Sequence, residues 1–111
     1  MSALYIEDGF TLTKTLDAAP GIHPAVDVVY RPALDRARKA YFAATTNTRD
    51  LDKIDAAEFD LLTKHVVALD GGAFPGKDRF PRLHPAVRGR LLDLVLSLEA
   101  GDVPPETSLG N

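Results

Sequence analysis

The side chains able to do chemistry in this chain are three histidines, sixteen carboxylates and the serines Ser2, Ser97 and Ser108. Two of the histidines, His23 and His84, each open a copy of the tetrapeptide "HPAV", in "GIHPAVDVVYRP" and "RLHPAVRGRLLDLV". A paired-histidine metal site needs three or four converging ligands, commonly with two at i,i+3 or i,i+4 on a helix or close together on a strand. His23, His65 and His84 stand isolated in sequence, so no metal or catalytic role is expected of them. His65 has Leu61, Leu62 and Leu69 as helical neighbours, which predicts a histidine at the edge of the core, hydrogen-bonded locally. No serine lies in the strand–turn–helix setting of a nucleophile elbow. "DGGAFPG" is rich in glycine but lacks the lysine and Ser/Thr of a phosphate-binding loop. The carboxylates of "DLDKIDAAEFD" lack the central glycine and terminal glutamate of a calcium loop, and an acidic helix start explains them. The chain is read as a non-enzyme with no cofactor.

The elements that carry these residues follow from periodicity. In "GFTLTKTL", Phe10, Leu12 and Leu16 alternate with Thr11, Thr13 and Thr15, the pattern of a half-buried strand. The Asp8-Gly9 pair before it suits a hairpin turn from "LYI". "AVDVVYR" is a further strand, antiparallel to the first because the connection is too short for a crossover helix. The sheet is thus placed within residues 4–31. Pro32 suits a helix start, and apolar spacing predicts helices near 33–46, 52–70 and 85–100. The first "HPAV" feeds a strand and the second starts a helix. Proline pushes its predecessor toward extended geometry, which fits both settings, so the copies are not a repeat. The expected core includes Phe10, Leu12, Val28, Tyr30, Leu34, Tyr41, Leu62, Val66, Leu91, Leu94 and Val95. The fold class is α+β, with a small N-terminal antiparallel sheet of two or three strands packed with three helices. Residues 1–100 form one domain, and 101–111 a flexible polar tail.

With 111 residues, 45% apolar and 26% charged, the composition is that of an ordinary globular domain. There is no apolar run long enough to span a membrane, no signal-peptide pattern at the start, and no cysteine, so an intracellular setting is expected. The net charge of −3 argues against a general nucleic-acid binder, but the charge falls in blocks. Four bases and one acid between Arg31 and Lys39, and five bases and one acid between Lys77 and Arg90, flank five acids and one base between Asp50 and Asp60. Such blocks suit either solvated helix faces or contacts with a partner.

The order of segments adds a resemblance. A strand ending in "YRP" enters a charged helix, "LLTKHVVALDG" ends on Asp-Gly, and a Gly/Pro loop leads to "RLHPAVRGRLLDLVLSL" with proline at its start. Over most of residues 10–98 this resembles the small tail assembly chaperones and related tail components of long-tailed bacteriophages. Leu69 stands where that family often has tryptophan. The resemblance implies a factor in the cytoplasm of a bacterial host, encoded by a phage or prophage. It would bind the tape measure protein and help tail-tube subunits gather around it. Arg36, Arg38, Lys39, Arg88 and Arg90 would then supply steering and rim contacts. Phe74 and Phe80 either anchor the partner or tuck back onto the core. A homo-oligomer stays open. The alternatives are a structural virion component, such as a head–tail joining or tail-completion protein, and a small DNA-binding regulator using the same five bases.

Overall fold

Alternation of threonine with apolar residues builds the first strand, β1 (Leu12–Leu16), which pairs antiparallel with β2 (Val26–Tyr30). Coordinates come from a computed structural model that describes residues 9–96. Leu12, Leu16, Val26, Val28 and Tyr30 are buried on one face, while Thr11, Thr13 and Thr15 are exposed on the other. There Thr15 donates its hydroxyl proton to the carboxylate of its cross-strand neighbour Asp27 at 2.7 Å. The loop between the strands closes on Ala19-Pro20-Gly21-Ile22. Proline fixes the first central position and Gly21, at φ 78°, supplies the left-handed second one. The expected strand "LYI", with the hairpin leading out of it, and the expected tail lie outside the described residues.

Beyond β2 the segment Arg31–Ala33 is strapped between two helix ends. The Arg31 amide donates to the His65 carbonyl and the Ala33 amide to the Val95 carbonyl, each at 2.7 Å. Pro32 and Ala33 are buried, and the chain then leaves as α1 (Asp35–Thr45). The expectation that Leu34 joins the core is corrected. Leu34 is the helix N-cap in extended conformation and remains 53% exposed, because its two predecessors fill the interior instead.

Helix α2 (Leu51–His65) starts where the Asp50 carboxylate accepts the amide protons of Asp52 and Lys53, at 3.0 and 3.4 Å. That is the standard way to satisfy orphan donors in a first turn. Residues 66–70 do not continue this helix as the apolar spacing predicts. Val66 turns extended, and Val66–Leu69 forms a third strand, β3, antiparallel to β2, giving the order β1-β2-β3. The free edge of β2 and two adjacent β-branched valines outweigh the helical spacing. The Asp70 amide extends the ladder to the Asp27 carbonyl at 2.7 Å. Asp70-Gly71 then form a two-residue turn, with φ of 53° and 79° and reciprocal hydrogen bonds between Leu69 and Gly72. Positive φ at both central positions is what a type I′ turn requires, and Asp-Gly is a favoured pair for it.

A short 3₁₀ turn (Phe80–Arg82) leads to α3 (Pro85–Val95), capped by His84, whose Nδ1 accepts the Ala86 amide proton at 3.0 Å. Residues 97–100 of the expected third helix lie outside the described range. The core joins the inner sheet face to Leu61, Leu62, Val66, Phe80, Val87, Leu91, Leu94, Val95 and Leu96. Phe10 and Tyr41 are half-buried against it. The α+β class, with three helices and a three-stranded antiparallel sheet among the described residues, agrees with the expectation.

Candidate protein-binding groove

Helix α1 packs on α2 alone among the strong helix contacts, and none of its residues is fully buried. Ala37 and Tyr41 touch the core edge, whereas Leu34 and Phe42 are 53% and 40% exposed. Between α1, α2 and the entry to β1 lies an open groove of about 780 Å³. Small side chains make it possible, since Ala37, Ala40 and Ala44 of α1 face Ala57 of α2. Phe10, Tyr41 and Leu61 add larger apolar surface.

The rim is cationic. Among the described residues, Arg31, Arg36 and Lys64 line it against a single carboxylate, Asp60. Asp60 pairs with Lys64 at 3.2 Å, while Arg31 and Arg36 form no ion pair among the described residues. His65, also in the groove, holds Nδ1 at 2.7 Å from the Leu61 carbonyl, the locally bonded core-edge histidine that the sequence predicts. Since a carbonyl only accepts, Nδ1 carries the proton. Burial, reinforced by the negative charge of Glu58, raises the pKa of Tyr41, keeping its phenol protonated as a donor.

The seven residues assigned to partner binding separate into two groups. Arg36, Arg38 and Lys39 sit on α1. Arg36 is exposed on the groove, Arg38 is half-buried, and Lys39 is exposed beside Asp35 at 3.6 Å. Phe74, Phe80, Arg88 and Arg90 lie on the loop and α3. Phe80 is only 3% exposed, which decides between its two expected places in favour of the core and removes it from the partner-binding set. It centres an aromatic cluster with Phe59 at 5.1 Å and Phe74 at 5.9 Å between ring centroids, so both loop phenylalanines tuck back onto the core. Arg88 is turned inward as well. Its guanidinium lies 5.0 Å from the Phe80 ring centroid and reaches Asp55 at 3.4 Å and Glu58 at 3.5 Å. It fastens α3 to α2 and is not a free rim cation. Arg90 is half-buried.

The sequence reasoning missed Arg31, Leu34 and Lys64 as lining residues. The alanine series of α1 was the available signal, because small residues on a helix face allow close approach of another backbone. Glu58 has its carboxyl pKa raised chiefly by burial, with Asp55 adding to the rise and Arg88 opposing it. It sits at the α2–α3 junction, beside Arg88 at 3.5 Å. Among the described residues, no cluster of three or more His, Cys, Asp or Glu side chains could hold a metal. No helix among them is long and apolar enough to cross a membrane.

These features define a small α+β domain with a basic-rimmed, largely apolar groove between two helices. The chain matches no protein-family model, no curated protein and no solved structure.

Proposed function

We propose that the protein binds a helical segment of a partner protein in the α1–α2 groove, as a tail assembly chaperone of a long-tailed phage or prophage does with the tape measure protein. One observation carries the reading. Helix α1 exposes Leu34 and Phe42, buries no residue completely and borders an alanine-floored groove. A helix that leaves its own apolar side partly uncovered is suited to accept a second helix there, anchored at i, i+3 and i+4 positions. The excess of Arg31, Arg36 and Lys64 over Asp60 selects a partner helix with acidic residues flanking its apolar stripe. The order of segments from "YRP" to "HPAVRGRLLDLV" supports the tape measure as that partner.

Co-expression with the tape measure protein of the same genome tests this. The reading expects that the long helical partner becomes soluble and co-purifies at low salt, and that Arg36→Glu releases it. Equal solubility with and without the chain, and no co-purification, refutes it.

A further inference from the structure

The two "HPAV" histidines, far apart in sequence, meet in the fold. His23 and His84 line one cavity of about 510 Å³, on the side of the molecule formed by the β1–β2 loop and the start of α3. We propose that this cavity is a second binding site, independent of the helix groove, for a small organic oxyanion with a short apolar body.

Both histidines are held by the chain. The Pro20-Gly21 turn and the Ala19–His23 bridge fix the first, whose Nδ1 sits 2.7 Å from the Pro24 carbonyl. The second caps α3. Because His84 Nδ1 accepts from Ala86, the neutral ring carries its proton on Nε2 and has one N–H donor to spare. In each copy the following proline keeps the histidine backbone out of helix, and both histidines line the cavity. The two copies differ in what they offer: His84 has Nε2–H to spare, whereas the proton of neutral His23 is on Nδ1 and goes to the Pro24 carbonyl.

Arg79 and Arg82, flanking and within the 3₁₀ turn, line the same cavity and form no ion pair among the described residues. Among the described residues Asp70 is the one lining carboxylate, so positive charge exceeds negative there even with both histidines neutral. Two guanidinium forks with an imidazole N–H match the oxygens of a carboxylate or phosphate. Below them Val26, Leu69 and Val87 give an apolar floor. A cavity of this volume, apolar with a few convergent polar groups, falls in the range of small-molecule sites. The juxtaposition requires both chemistries in one ligand. A bare anion leaves the floor wet, and an uncharged alkyl compound leaves the arginines unused.

Amide-detected NMR titration of the full chain with octanoate, acetate and octanol tests the site. Octanoate is expected to shift the amides of Val26, Leu69 and Val87 saturably, at least about tenfold more tightly than acetate or octanol, the factor that one charge-assisted hydrogen bond is worth. The Arg79→Gln/Arg82→Gln double variant changes two exposed side chains and leaves the fold intact. It should weaken octanoate by about tenfold or more. His84→Asn keeps a good N-cap for α3 while removing the imidazole, and should weaken octanoate at an unchanged thermal midpoint. Absence of saturable shifts, octanol binding as tightly as octanoate, or wild-type affinity in either variant overturns the proposal. Because the groove residues are untouched, none of these results bears on the binding of a helical partner.

Discussion

Replacing Arg88 by alanine should unfold the chain more readily without touching the groove. Three contacts are lost together. The guanidinium over Phe80, 5.0 Å from the ring centroid and on a side chain only 22% exposed, is a partly desolvated cation–π pair worth about 0.5–2 kcal/mol. The ion pair to Asp55 involves a carboxylate side chain 56% exposed and adds little after solvent screening. The contact to Glu58, whose side chain is 16% exposed, matters more, because its removal leaves a half-buried carboxylate facing Asp55 with no compensating cation. The aliphatic stem of Arg88 also covers the aromatic cluster. Together these predict a loss of about 2 kcal/mol, read by urea unfolding at neutral pH, and a thermal midpoint lower by roughly 8–12 °C. Arg88→Met, which keeps the stem, should recover part of the loss. A change below about 0.5 kcal/mol, the scale of an ordinary surface substitution, refutes the fastener and returns Arg88 to the solvent-facing role its charge block suggests.

Other substitutions probe the remaining supports. Leu94→Ala, at a side chain 2% exposed, should cost ~2–5 kcal/mol in the same unfolding assay. Asp50→Ala should cost about 0.5–2 kcal/mol by orphaning the amides of Asp52 and Lys53, while Asp50→Ser keeps most of the stability. Glu58 gives a pH signature. Its folded pKa lies above its ordinary value of 4.5, so its contribution to stability is fully present below that value and lost as pH rises through the folded value. Glu58→Gln cannot ionise, so its stability relative to wild type should improve from about pH 4 to about pH 7, and a difference independent of pH would contradict the assigned burial.

How much was legible in the sequence depended on whether local pattern and tertiary environment agreed. Strands β1 and β2 were readable because the threonines and valines that alternate in sequence alternate in burial. Helix α3 was readable because proline starts it and Val87, Leu91, Leu94 and Val95 share one buried stripe. Strand β3 was hidden, since Val66 and Leu69 continue the helical spacing of Leu62. Only the β-branched pair Val66-Val67 ahead of Asp70-Gly71 hinted at a strand entering a type I′ turn. Leu34 misled because helical spacing from Ala37 and Tyr41 marks it as interior, while its N-cap position turns it outward. Phe80 and Arg88 could not be paired from sequence, because their contact depends on how the glycine-rich loop folds back over α2 and α3. The meeting of His23 and His84 was invisible for a related reason. It is made by loops from opposite ends of the chain, and nothing in either flank records the other.

Hydrogen exchange of the co-purified complex between this chain and the tape measure protein tests the central claim most directly. If a partner helix occupies the groove, amides of residues 35–45 and 57–65 should gain protection on binding, while those of the threonine-bearing outer sheet face stay as they are in the free protein. Leu34→Asp should abolish that protection without loss of stability, since its side chain is 53% exposed in the free chain and aspartate suits the N-cap of α1. Protection confined to the sheet face or to the α3 surface, with α1 exchanging as freely as before, would contradict the account.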